Sequence, residues 1–183
     1  GPAENTCTAC AAGTHALANA ARLIAHGRCD VVLAGGSEAP FVETAIAGFT
    51  TMTAFSPVGI PRPFPPGRAG FVMGEGAGVV ILESEEHATA RGATILGRYA
   101  GAGLTSDGHH IAQPDPEGTG AARAITEALE EAHLTPADIV HVNAHATSNP
   151  QGDIAESTAI RRALGSAANN IYIAGTKSMT GHL

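Results

Sequence analysis

Tryptophan is absent, and aromatic residues make up only 4% of the 183 positions. Small residues take their place: alanine recurs throughout and 23 positions are glycine. That composition suits helices and sheets whose backbones approach closely. Charge is also scarce, at 15%, with 10 Lys and Arg against 17 Asp and Glu. A formal net charge of −7 argues against nucleic acid as the main partner. No apolar run is long enough to span a bilayer, so no membrane association is expected. No signal peptide opens the sequence. Cysteine is limited to Cys7, Cys10 and Cys29. An odd count without a secretory leader points to a reducing, cytoplasmic setting and no disulfide framework. The sequence starts at Gly1-Pro2 without Met and stops in the loop-like Gly181-His182-Leu183. It therefore reads as an internal fragment of a longer protein.

With 44% apolar residues the chain is globular rather than disordered. Residues 11–26 are Ala-rich and predict a helix closed by Gly27. The unbroken apolar run 30–34 predicts a buried parallel strand. A short helix over 38–49 and a Pro/Gly-rich loop over 53–69 follow. Residues 70–83 predict an extended segment interrupted by glycines, and 85–91 a helix closed by Gly92. Residues 95–103 predict a strand and 104–118 a second loop. Over 120–133, Ala121, Ala124, Ile125, Ala128, Leu129 and Ala132 share one helical face. Thr135-Pro136-Ala137-Asp138 has the form of an N-cap followed by Pro. Strands are predicted over 139–144 and 171–174, a helix over 153–164, and a loop over 176–183. Strands alternating with helices define an α/β class with a mostly parallel buried sheet. The border between two halves falls near Arg91-Gly92, giving 1–92 and 93–183.

Cys10 stands at a predicted strand-to-helix junction. Unpaired backbone N–H groups and the positive helix end favour thiolate over thiol there, and can stabilise an oxyanion. Two histidine phrases follow predicted strands: Asn143-Ala144-His145-Ala146-Thr147 and Lys177-Ser178-Met179-Thr180-Gly181-His182. Sites gather at the carboxyl ends of parallel strands. Cys10, His145, His182 and Lys177 would there form an acyl-transfer set of nucleophile, proton handlers and fixed charge. The competing reading is an inert buried thiol and scattered histidines, since nine are present. Cys7-Thr8-Ala9-Cys10 also fits a Cys-x-x-Cys redox or metal half-site, but a zinc site would want a second pair and only Cys29 remains. No metal site is expected. Gly74-Glu75-Gly76-Ala77-Gly78 precedes an extended segment rather than a helix, so it reads as close backbone packing instead of a phosphate loop.

Taken jointly, Thr8-Ala9-Cys10-x-x-Gly13, Asn143-Ala144-His145-x-Thr147 and Thr176-Lys177-Ser178-x-x-Gly181-His182 resemble the β-ketoacyl-[acyl-carrier-protein] synthases. Arg62-Pro63-Phe64, Gly70-Phe71-Val72-Met73-Gly74-Glu75-Gly76 and Gly152-Asp153-x-x-Glu156 agree. The closing phrase is most similar to the discrete type II synthases, synthase II in particular. The resemblance implies a thiolase-like αβαβα layered fold, present here in part, without the family's opening strands and closing pocket loop. It implies an acyltransferase of fatty-acid or type II polyketide elongation that needs no cofactor. Cys10 would carry the acyl chain, His145 and His182 would face the malonyl thioester, and Lys177 would tune them. Thr147 and Asn149 would meet the pantetheine arm, His110 would be a substrate-binding loop histidine close to the active site, and Glu156 would stand behind His145. Acyl carrier protein is the implied partner and a homodimer the implied assembly. Several positions depart from the family pattern. Ala146 replaces Gly, Asn149 replaces Thr, Pro65 and Ala69 replace Asp, and Thr53 replaces an Arg that faces the carrier. A non-catalytic thiolase-fold fragment or subunit is the alternative, and a thiol redox protein the third reading.

Overall fold

The alanine run after Cys10 folds as its propensity dictates. The computed structural model describes residues 1–183. Its helices are α1 (Ala12–Ala25), α2 (Glu43–Thr51), α3 (Glu85–Ala90), α4 (Thr119–Ala132), α5 (Pro150–Leu164) and α6 (Lys177–Thr180). Its strands are β1 (Val31–Glu38), β2 (Gly76–Glu83), β3 (His141–Asn143) and β4 (Tyr172–Ala174). They form two compact units that alternate along the chain: Gly1–Glu38 with Gly76–Ala100, and Ala39–Glu75 with Gly101–Leu183.

In the first unit α1 packs on the β1–β2 ribbon. Gly13 of α1 meets Gly36 of β1 so closely that a Cβ on Gly36 would lie 3.2 Å from the Gly13 Cα. Past the helix end, Gly27 adopts φ +65° and Arg28 N–H reaches back to the Leu23 carbonyl at 2.9 Å. Two expectations are corrected here. No strand precedes Cys10, because residues 1–8 find no ladder and Ala9 turns the chain at φ +49° into a 3-10 turn, Ala9–Ala11. The run 30–34 is a strand, but it pairs antiparallel with β2, Val31 opposite Glu83 and Glu38 opposite Gly76. An unbroken apolar run signals burial; it carries no information on direction. Burial is also one-sided. Val31, Leu33, Val79 and Ile81 share a face that stays 42–71% exposed.

The second unit is built on α4 against α5. Leu129, Ile160 and Leu164 form its centre, with Ile125, Ile139, Val142 and Ile171 packed around them. Gly118, at φ +60°, starts α4 where a Cβ would fall 2.5 Å from the Ala155 carbonyl of α5. β3 and β4 pair in parallel as expected, His141 opposite Tyr172 and Asn143 opposite Ala174. Asn149 caps α5 and moves its start ahead of Asp153: its Oδ1 accepts from Gln151 N at 3.0 Å and Gly152 N at 3.1 Å. Thr135 and Asp138 form a capping box around a 3-10 turn. On α4, Ala122 is buried in place of the expected Ala121.

The expected strand 95–103 is absent. Leu96 is 97% exposed, and further on Gly101 and Gly103 lie against α4. A Cβ on Gly101 would sit 2.7 Å from the Ala128 carbonyl, and Ala102 N–H donates to Glu131 Oε2 at 3.1 Å. Chain laid along a helix finds no strand partner. No helix is long and apolar enough to cross a membrane.

Ile160, 2% exposed, sits at the centre of this packing, whereas Ile154 on the same helix is 54% exposed. Ile160→Ala is expected to cost about 2–5 kcal/mol in urea denaturation, and Ile154→Ala less than about 0.5 kcal/mol.

Candidate active site

The parallel pairing of β3 with β4 delivers two histidine phrases to one end of the second unit. Ala144 N–H continues the ladder to the Ala174 carbonyl at 2.7 Å. Asn143 Oδ1 accepts from Thr176 Oγ1 at 3.0 Å and from Thr176 N at 3.3 Å. The two phrases are thus tied together where their strands end.

Each histidine is then fixed through its own backbone. His145 N–H and Ala146 N–H donate to the two carboxylate oxygens of Glu156, at 2.6 and 2.8 Å. Ala146 is 1% exposed, with φ +44°, a conformation that usually falls to glycine. Its methyl faces Gly175, where an added Cβ would lie 2.6 Å from the Ala146 Cβ. His182 donates its N–H to the Val72 carbonyl at 2.7 Å and accepts from Gly74 N at 2.8 Å. Gly74 is required for that approach: a Cβ there would lie 2.6 Å from the Thr180 carbonyl. This glycine of the 74–78 phrase therefore serves close packing, as its sequence context indicated.

The His145 and His182 rings stand edge to face, centroids 5.4 Å apart and planes at 90°. Phe71 meets the other side of the pair, 5.4 Å from the His182 ring, and rests in turn on Phe49 and Phe55 at 5.2 and 5.1 Å. His145 keeps an exposed edge, yet the protein around it displaces much of its hydration. That desolvation, followed by the positive charge of Lys177 and the proximity of His182, lowers its pKa from 6.5 to about 4. At neutral pH it is an uncharged imidazole with one N–H to donate and one lone pair. Lys177 lies in α6, one helical turn where a loop was expected.

The other expected residues are placed as follows. Thr147 is 9% exposed, just after the Glu156-held turn. Asn149 commits its carbonyl oxygen to the α5 cap, leaving its amide N–H₂ as the group that can meet a ligand. His110 folds onto its own loop, where Nδ1 accepts from Ala112 N and Gln113 N, both at 3.1 Å. Asp107 takes the N–H of Asp115 at 2.9 Å. Cys10 belongs to the first unit, exposed in the 3-10 turn that leads into α1, and all three cysteines are thiols. Sequence reasoning did not single out Asn143, which ties the two phrases, or the ring contact of Phe71. Both stood inside quoted motifs, but their partners are set by tertiary contact.

Two family models cover almost the whole chain. Residues 1–88 match the beta-ketoacyl synthase N-terminal domain and residues 96–183 the beta-ketoacyl synthase C-terminal domain. The chain belongs to the β-ketoacyl synthase family. Among curated relatives, 3-oxoacyl-[acyl-carrier-protein] synthase 2 of Staphylococcus aureus is 46% identical over 187 residues, spanning 100% of this chain and 46% of the relative. The protein of the same name from Synechocystis is 47% identical over 188 residues, with 100% and 45% covered. The chain thus spans a little under half the length of the curated relatives it matches. Its fold is the α/β, thiolase-like fold of the ketosynthases, in part. It superposes with a TM-score of 0.92 at 41% identity on a chain from a type II PKS acyl-carrier protein in complex with its ketosynthase, covering 94% of this chain and 44% of that one. A beta-ketoacyl synthase from Burkholderia phymatum gives 0.87 at 44% identity, covering 94% and 42%.

A titration followed by NMR is expected to place the His145 midpoint near 4, and Lys177→Met is expected to raise it. A free histidine protonates near 6.5, so between that value and about 4 the unfolded chain binds more protons than the folded one. The contribution of His145 to stability is therefore complete above pH 6.5 and declines as pH falls toward 4.

Proposed function

We infer that the parent protein is a β-ketoacyl-[acyl-carrier-protein] synthase, and that Cys10, His145 and His182 carry its chemistry. The observation that supports this most directly is the neutral His145 ring set edge to face against His182 beside Lys177. The uncharged His145 imidazole, with the His182 ring beside it, supplies an N–H donor for a developing oxyanion without needing to lose a proton. In this reading the Cys10 thiolate attacks an acyl thioester of the carrier protein. A new C–S bond forms as the carrier thiol departs. Malonyl thioester then loses CO₂, and the electrons of the broken C–C bond pass into an enolate held by His145 and His182 N–H groups. The enolate carbon attacks the acyl-Cys10 carbonyl, and the C–S bond breaks to return the thiolate. Desolvation, and after it the positive charge of Lys177, keeps His145 in its uncharged form. Thr147 and the Asn149 amide would meet the pantetheine arm, and His110 would stand in a loop close to the active site.

The same reading makes acyl carrier protein the partner, a cytoplasmic homodimer the working form, and fatty-acid or type II polyketide elongation the pathway class. It also proposes two related halves, 1–92 and 93–183. The family models that end at 88 and begin at 96 support that border. One relative among the solved structures, 32% identical, is described as a ketosynthase in complex with its chain length factor. A non-catalytic partner of that kind is the alternative, and the thiol at Cys10 weighs against it.

The test is mapped alkylation with iodoacetamide at neutral pH, together with an acyl-transfer and condensation assay on carrier-bound substrates. Cys10 is expected to react ahead of Cys7 and Cys29. Cys10→Ala should abolish acyl loading. His145→Ala or His182→Ala should lower malonyl decarboxylation by about 10²-fold or more. Equal labelling of Cys7 and Cys10, or a Cys7–Cys10 disulfide, would count against the reading.

A further inference from the structure

The helical turn that carries Lys177 is too short to hold itself. α6 has 4 residues, and a lone turn orders more backbone than its few hydrogen bonds offset. Its position is therefore set from outside, at its two ends. Beyond its end, His182 N–H donates to the Val72 carbonyl at 2.7 Å, and Gly74 N–H to the His182 carbonyl at 2.8 Å. Its start depends on Thr176. The Thr176 carbonyl accepts Met179 N–H at 2.9 Å and Thr180 N–H at 3.2 Å, which close the turn.

Thr176 is in turn placed by one atom. Asn143 Oδ1 accepts both its N–H, at 3.3 Å, and its Oγ1–H, at 3.0 Å. A backbone N–H can only donate, so the oxygen of the Asn143 amide faces it and not the nitrogen. Thr176 already has helical backbone, φ −57° and ψ −31°, and its hydroxyl makes no bond to its own turn. A hydroxyl at the start of a helix ordinarily bonds back into it. Here it reaches across to the other histidine phrase instead. Asn143 ends β3, two residues ahead of His145, and Thr176 stands one residue ahead of Lys177. The amide thus couples the backbone that leads to the imidazole with the backbone that carries the cation. Asn143 and Thr176 are both exposed, and neither belongs to the core around Leu129, Ile160 and Leu164.

We propose that Asn143 is a positioning residue for the histidine pair: its amide oxygen holds Thr176, and through it Lys177, in register with His145. The acceptor must also be uncharged. Aspartate has the same shape and would accept both donors more strongly. Its charge, two residues ahead of His145, would favour the imidazolium that burial, Lys177 and His182 oppose. That this coupling serves malonyl decarboxylation rests on the condensation reading; the coupling itself does not.

A double-mutant cycle read by histidine NMR titration tests this. Asn143→Ala is expected to raise the His145 midpoint by about half a pH unit or more, because Lys177 is no longer held in place. In a Lys177→Met background the same change is expected to move it by less than about 0.2 pH units. Thr176→Val, which removes one of the two donors and keeps the amide, is expected to give a smaller shift in the same direction. Asn143→Asp is expected to raise the midpoint in both backgrounds, with the urea midpoint unchanged. A shift of equal size with and without the Lys177 side chain is what a purely structural role would give, and it would overturn the proposal, as would no shift in either. In the parent protein, Asn143→Ala is expected to lower kcat for malonyl decarboxylation about fivefold or more with KM unchanged; an unchanged kcat would overturn it as well. Acyl loading that persists in Cys10→Ala would instead defeat the condensation reading, and the NMR cycle would be unaffected.

Discussion

One carboxylate holds two backbone N–H groups, and the geometry around His145 depends on it. The turn after β3 departs from extended structure, with Ala146 at φ +44° and Ser148 at φ +67°. Backbone bent in that way leaves N–H groups that neither a strand nor a helix can satisfy. Glu156 accepts both, through a different oxygen for each. A charged acceptor makes these bonds stronger than amide–carbonyl ones. Glu156 can do this only because α5 is anchored. Ile160 and Leu164, on the turns that follow, are buried in the core of the second unit. The order of dependence therefore runs from apolar packing to helix position, from helix position to carboxylate, and from carboxylate to the imidazole.

The second histidine is held by other means. His182 sits in a backbone bridge with Met73, between the Val72 carbonyl and Gly74 N–H. Phe71, just ahead of that bridge, puts its ring on the imidazole. One segment thus sets both the height and the tilt of His182. The close approach is open only because Gly74 and Gly181 lack side chains. Charge completes the arrangement. Lys177 opens the helical turn that ends at Gly181, so the cation travels with the same loop as the histidine.

Much of this was legible beforehand. Alanine runs closed by Gly27, Gly92 and Gly165 marked helix ends, and the order strand, histidine, strand, histidine placed both rings at one end of a parallel pair. What stayed hidden was set by long-range contact. Val31–Ala34 and Val79–Leu82 are equally apolar whether their strands run parallel or opposed. Ile95–Gly103 has strand composition, but Gly101 and Gly103 at its end lie against a helix. Residues 177–180 carry too few positions for a period, so one helical turn reads as loop. Asn149 was read for its hydrogen-bonding capacity; the helix behind it takes half of that capacity first.

Ala146 and Gly175 have a consequence for how the sequence can change over time. The space between them admits one methyl group: Ala146 occupies it, and a Cβ on Gly175 would lie 2.6 Å away. The two positions therefore share a single carbon. Alanine at either site requires glycine at the other, and β-branched residues at 146 are barred by its positive φ. A lineage that moves the methyl from one strand end to the other must pass through glycine at both. The pair should vary together in ancestry, although neither side chain is a reactive group.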